Sequence, residues 1–357
     1  MNRVSAIEAL RREIGRRADG LPETTVMEVC GTHTHAVWRN GIRQLLPANI
    51  RLVSGPGCPV CVTDEADLAR ALWLAKQKNV SLCCFGDMLR VPCGEESLLA
   101  LSAEGADVRV CVSPLDALAA AREEPARTFV WFGVGFETTA PHTAALAERA
   151  RKLGIPNLCI LSAHKTMPEA IRALLSGESR VGALLCPGHV AAIAGAETFR
   201  FVPEELRLPA AVAGFEAEDI LAALAAILGM LRAGKPNLVN AYPRAVTPHG
   251  NQTARALQEM VFEPCGAVWR GLGAIPASGL KLRKDFADLD AQKRFSIPQF
   301  SLSEPRGCRC AEVLRGTLEP TGCPLFGRTC APQNPVGACM VSSEGACAAY
   351  YSYGGNR

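Results

Sequence analysis

The chain reads as an α/β protein: two open, mainly parallel α/β domains of similar design around a cleft, plus a less regular C-terminal domain. Three observations lead there. Short β-prone runs alternate with stretches long enough to be helices, the pattern of βαβ units. A length of 357 residues exceeds one ordinary core, and a hydrophobic content of 48% supplies material for more than one. The alternation stops at Lys235, after which prolines and then cysteines punctuate the chain.

Taken in order, Ile7, Leu10 and Ile14 share one face of a first helix. Residues 1–23 are expected to pack on the C-terminal domain. Strands are expected over 24–29, 50–54, 80–85 and 108–112, then over 128–132, 157–161, 181–185 and 210–213. Helical periodicity fills the intervals at 64–77, 115–122, 143–153, 168–175 and 218–232. The polar stretch 122–127, with Pro125, divides the strands four and four. The expected domains are therefore 24–124, carrying Cys30 and the Cys58/Cys61 pair, and 125–234. Residues 235–357 form the third, in which 251–262 still looks helical.

A net charge of +3, from 38 basic and 35 acidic residues without long runs of either sign, offers no footprint for nucleic acid or a membrane surface. The arginine-rich start lacks the apolar core of a signal peptide. No run approaches the ~18 apolar residues of a membrane span, so a cytoplasmic protein is expected. In a reducing compartment 16 cysteines point to metal or redox chemistry rather than structural disulfides. Cys83, Cys84, Cys111 and Cys159 lie in apolar runs and read as small core residues. Cys93, Cys186 and Cys265 are left unassigned.

Nearly every expected strand runs into a turn rich in Gly, Pro, Cys, His, Thr or Glu, where open α/β sheets bind ligands. One cleft is expected to gather these turns. Cys58-Pro59-Val60-Cys61 has the spacing of a redox or metal-handling dithiol, with a structural turn as the bland reading. Cys30 and His33 flank Gly31, so a thiolate able to bind iron and an imidazole able to move a proton stand on one turn. In the tail, Cys323, Cys330, Cys339 and Cys347 sit on Gly- and Pro-rich loops at long intervals. That suits an iron-sulfur cubane better than zinc, which favours short paired spacings. Zinc, or cysteines without metal, are the other readings, and Cys308-x-Cys310 lies just upstream. Asp87, Glu137, Thr138, Thr139, His164 and His189 are further cleft candidates by turn position. His142 and His249 read as surface or cap residues, and Lys165 as an ordinary solvated lysine. No Walker A, Gly-x-Gly-x-x-Gly or Gly-x-Ser-x-Gly pattern supports a nucleotide or hydrolase site.

Five segments, in order, resemble the HypD family of [NiFe]-hydrogenase maturation factors: Met27-Glu28-Val29-Cys30-Gly31-Thr32-His33-Thr34-His35, residues 55–63, Gly135-Phe136-Glu137-Thr138-Thr139-Ala140-Pro141, Pro187-Gly188-His189-Val190, and residues 339–347. The resemblance runs from about residue 24 to the end. It implies an assembly scaffold with redox activity rather than a conventional turnover enzyme, on which the Fe(CN)2CO moiety is built before transfer to the hydrogenase large subunit. The implied partners are a HypC-type chaperone and a HypE-type cyanide donor. By position Cys30 matches the family's iron-binding cysteine, Cys58 and Cys61 its redox pair, and the tail the region holding a [4Fe-4S] cluster. Cys323, Cys330, Cys339 and Cys347 are the chosen ligands; Cys308 or Cys310 could replace one or act as a relay. From the residues alone, a stand-alone iron-sulfur thiol-disulfide oxidoreductase is the alternative.

Overall fold

The structure, a computed structural model, describes residues 3–177, 179–300 and 305–354. Eight strands form where expected: β1 (Thr24–Glu28), β2 (Ile50–Ser54), β3 (Val80–Cys84), β4 (Val108–Val110), β5 (Thr128–Gly133), β6 (Leu158–Ser162), β7 (Val181–Pro187) and β8 (Ala210–Ala213). β9 (Leu238–Asn240), β10 (Phe262–Trp269) and β11 (Gly273–Leu282) follow. Two parallel sheets result, ordered β2-β1-β7-β8-β9 and β4-β3-β5-β6, with β10 and β11 as an antiparallel hairpin.

The division at Pro125 does not describe these sheets. The first combines the two N-terminal strands with β7, β8 and β9, and the second holds β3 to β6. The chain leaves the first sheet after β2, builds the whole second sheet, and returns with β7 beside β1. Pro125 marks only the loop between the helix Pro114–Glu123 and β5. Local signals locate strands, whereas pairing is settled by which apolar faces bury each other across long loops. Both sheets nevertheless share one design, an order that reverses beside the first strand of each.

The N-terminal helix, Arg3–Ala18, packs on the helix Ala217–Ala233 of the first sheet rather than on the C-terminal region. Ile14 and Ala18 enter the core formed by Ile220, Leu224, Ile227 and Leu228. Arg232 donates to the Arg16 and Asp19 carbonyls at 2.9 and 3.0 Å, closing the helix C-terminus against its neighbour. Nor do residues 235–354 form a separate body. β9 extends the first sheet, the helix Gln252–Val261 packs on Ala140–Lys152, and the cysteine-rich tail lies against the strand ends described below.

The hairpin joins the two halves. Its β10 end bridges to Thr63 through Trp269, while Gly279 of β11 bridges to Lys165. Trp269 stacks on Phe136 at 5.7 Å. Both strands are edges, so Pro264 and Pro276 remove no ladder bond that a central strand would need. Among the described residues no helix is long and apolar enough to cross a membrane.

Candidate functional site

In the first sheet the order reverses between β1 and β7, the point where ligands collect at the carboxyl ends of strands. Cys30 follows β1 and caps the helix Gly31–Arg39 in extended conformation. β2 pairs beside it in parallel register, Glu28 opposite Ser54. The Cys58 turn therefore leaves the sheet at the same edge. The two turns touch through backbone: Gly31 N donates to Gly57 O at 2.9 Å and Gly55 N to Glu28 O at 2.7 Å. A Cβ on Gly57 would stand 2.1 Å from Cys30 N. Only glycine permits that approach.

Cys30 is 6% exposed. Burial pushes its thiol up to about 12, although the backbone N–H groups of Thr32 and His33 point at the sulfur and favour thiolate. A metal arriving here displaces a proton. Glu28 lies beneath, receiving the Cys30 N–H at 3.1 Å and the Thr34 hydroxyl. Its burial raises the carboxyl to about 8. His33 is fully buried. It donates from Nε2 to the Gly214 and Ala213 carbonyls at the end of β8, 2.9 and 3.2 Å. Burial lowers its imidazole to about 4, and Nδ1 has no hydrogen-bond partner. The neutral ring thus keeps one basic nitrogen free.

A pH dependence follows. Between pH 4.5 and about 8 the folded protein holds the Glu28 proton and the unfolded chain does not, so this group's contribution to stability falls as pH rises through that window. Glu28→Gln should remove that slope. With each pKa unit equivalent to about 1.36 kcal/mol, the stability lost between pH 5.5 and 8 should shrink by ~2–3 kcal/mol in urea titrations. Equal losses in both proteins would show that Glu28 does not hold the proton.

Two residues that sequence reasoning did not assign complete the surroundings of Cys30. Phe215, after β8, stacks on His189 at 3.9 Å and lies 4.9 Å from His33. Glu344 accepts from the Thr32 hydroxyl at 2.6 Å, and its charge reaches both Cys30 and His189. The signal for Glu344 was its place among the tail cysteines, in a stretch quoted only for resemblance. What brings it here is the last helix, Ala346–Tyr353, which packs on Gly31–Arg39. Tyr350 meets Trp38 edge-on at 4.5 Å, and the Tyr353 hydroxyl lies 3.0 Å from His35 Nε2.

Cys58 caps the one-turn helix Pro59–Val62 and Cys61 lies within it, where the Cys61 N–H meets the Cys58 sulfur at 3.3 Å. They are 3% and 0% exposed. Burial carries the Cys61 thiol well above its usual value, while a contact with the Cys339 thiol opposes the rise. Cys339 also touches Cys310, with 2.9 Å between sulfurs, and Cys347. Cys308, Cys310, Cys323, Cys330, Cys339 and Cys347 line one cavity closed by Val313, Leu325, Phe326 and Met340. Six soft donors in an apolar wall fit a thiolate-held iron-sulfur cluster. The four chosen cysteines lie among them, with Cys308 and Cys310 in the same wall. Among the described residues, no three His, Cys, Asp or Glu side chains are set to share a single ion.

The remaining candidates stand at the ends of the second sheet. No hydrogen bond or ring contact joins them to Cys30 among the described residues. Asp87 is exposed after β3. Glu137 is buried, receives the Met167 N–H at 2.9 Å, and is raised to about 7 by burial. Thr138 and Thr139 are half-buried beside it, Thr139 donating to Phe136 O at 3.3 Å. His164 is a core histidine, between the Thr143 and Ser162 hydroxyls at 3.2 and 3.1 Å and lowered to about 3 by burial. Lys165 is not solvated: it is 2% exposed, with Asp67 3.6 Å away. Cys83, Cys84, Cys111 and Cys159 are buried in the cores as expected, and so are Cys93 and Cys186.

Comparison with known proteins places the sequence in a family. The family model described as the HypD, hydrogenase formation hypA, family matches residues 5–354. A hydrogenase maturation factor HypD of Azotobacter vinelandii is 45% identical over 98% of this chain and 94% of its own length. Those of Rhodobacter capsulatus and Cupriavidus necator are 41% and 40% identical, over 98% and 92% of this chain and 96% and 89% of their own. With motifs and strand ends in place over nearly the whole length, the chain belongs to the HypD family of hydrogenase maturation factors.

Proposed function

We propose that this protein is a cytoplasmic scaffold on which an iron bearing two cyanides and one carbon monoxide is assembled before it passes to a hydrogenase large subunit. The observation that carries this reading is the junction of three thiol sites: Cys30 at the switch point, the Cys58/Cys61 turn in backbone contact with it, and the tail cysteines touching Cys61. Cys30 holds the iron through its sulfur, with a second soft ligand from a HypC-type chaperone. Thiolate ligation suits low-spin iron with strong-field ligands. The Thr32 and His33 N–H groups stabilise the thiolate, and His33 is the local acid or base. A HypE-type partner supplies cyanide.

Closing a disulfide between Cys58 and Cys61 releases two electrons and two protons for ligand assembly. Cys323, Cys330, Cys339 and Cys347 would hold a [4Fe-4S] cluster, and that group would supply the one-electron chemistry needed to reopen the disulfide. The contact between Cys61 and Cys339 would place the dithiol directly beside that group. A stand-alone thiol-disulfide oxidoreductase fits less well, because a dithiol 3% and 0% exposed offers no sulfur to a partner's disulfide. Protein co-purified anaerobically with the chaperone and the other maturation factors should show infrared stretches of bound cyanide and carbon monoxide, with iron and sulfide by analysis. Thiol reductase activity without those bands favours the oxidoreductase, and zinc in place of iron favours a zinc-stabilised binding module.

A further inference from the structure

Between the dithiol turn and the tail cysteines stands a buried cation that the roles above do not use. Arg270, in the turn from β10 to β11, is 3% exposed. Its backbone N–H donates to Val62 O at 3.0 Å, fixing it to the helix that carries Cys61. Its neighbour Gly271 abuts the other side: a Cβ there would lie 2.8 Å from Ala311 Cα, in the helix Cys310–Leu314. The guanidinium is near enough for its charge to act on the Cys308 and Cys93 thiols.

The immediate electrostatics are incomplete. Nη2 lies 3.0 Å from Glu65 Oε1, also buried. Yet Nε, Nη1 and Nη2 make no hydrogen bond of acceptable geometry. An arginine removed from water normally fills its fork of donors, and a buried charge is retained only where charge and hydrogen bonding repay its desolvation. Packing alone does not explain a guanidinium here, since a methionine would fill the space without that cost. What would repay it is further negative charge, and the wall of six cysteines, of which Cys308 feels the guanidinium, would supply it once they are thiolates around a metal centre.

We propose that Arg270 is the charge-compensating residue of the tail cluster, setting its reduction potential while Glu65 trims the effect. The proposal rests on the iron-sulfur reading of the tail. A fixed positive charge favours the more negative, reduced form, so Arg270 raises the potential and the Glu65 carboxylate lowers it. Its backbone attachment to Val62 O ties the turn that carries this charge to the helix holding Cys61. Because the pair is buried, salt screens it little.

The test is a reductive titration of the full-length protein, purified anaerobically, followed by electron paramagnetic resonance. At the wild-type midpoint, Arg270→Gln should lower the ratio of reduced to oxidised cluster about tenfold, or about 59 mV for one electron. Arg270→Lys should stay within about threefold, and Glu65→Gln should move the ratio in the opposite direction. Opposite shifts from the two charge removals are not expected of a merely structural pair. Should Arg270→Gln not fold, Glu65→Gln and Arg270→Lys decide. Wild-type iron and sulfide with ratios unmoved in the folded variants overturns the role of Arg270. Wild-type protein that binds no iron and sulfide overturns the cluster itself.

Discussion

Cys30→Ala is expected to abolish the infrared bands of cyanide and carbon monoxide in the co-purified complex while leaving the protein folded. The substitution removes one sulfur from a site where the backbone does the structural work. The turn is held by Gly31 N to Gly57 O, by the Cys30 N–H on Glu28 and by His33 on the β8 carbonyls, none of which uses the thiol. The sulfur contributes a soft ligand with two N–H groups directed at it. Cys159→Ala supplies the control. Its thiol is also buried, and its burial likewise raises it, to about 11, but it lies inside β6. That variant should lose some stability and keep the bands. Undiminished bands in Cys30→Ala would rule out Cys30 as the iron ligand, and bands lost equally in both variants would point to a general loss of structure.

Gly57→Ala has the second largest expected effect. The added methyl would stand 2.1 Å from Cys30 N, 2.4 Å from Cys30 Cα and 2.4 Å from the Val29 carbonyl carbon. These are backbone atoms, so no rotamer change relieves the clash. The two turns must separate, or β1 and β2 must lose their register. Overpacking a rigid site typically costs ~1–3 kcal/mol, and the upper end or more is expected here as a lower urea midpoint. Iron occupancy should fall with it, since the dithiol and Cys30 would no longer share a wall. Gly15→Ala calibrates the measurement: that glycine lies in the N-terminal helix with nothing within 4 Å of a Cβ, and it should gain up to about 1 kcal/mol from helix propensity. A wild-type midpoint in Gly57→Ala would mean that the two turns are not in contact.

The strands were legible because each is a short apolar, β-prone run, and a parallel strand buried on both faces leaves that mark without help from its neighbours. β9 and the hairpin left a weaker one. Leu238–Asn240 is three residues long after Pro236, and β10 and β11 carry prolines and glycines that a two-edged hairpin tolerates and a sequence pattern treats as breaks. Cys30, Cys58 and Cys61 could be singled out as candidates because strand ends with cysteine, glycine and histidine announce themselves. Glu344 and Phe215 could not, for neither residue type is unusual alone. Arg270 was equally silent: an arginine in a glycine-rich turn reads as solvated until its burial is seen.

What the sequence by itself determined is the set of local units, eight strands with their turns, the thiol motifs and the resemblance that names the family. Each depends on residues within reach of a short window, where periodicity, turn chemistry and spacing act. Which units stand together was decided only by tertiary structure. The return of β7 to β1 creates the switch point at Cys30, the last helix carries Glu344 across the molecule to Thr32, and the hairpin places Arg270 between two thiol groups. Those choices follow from burying large apolar faces against partners far away in the chain. That term grows with the area removed from water and has no local signature.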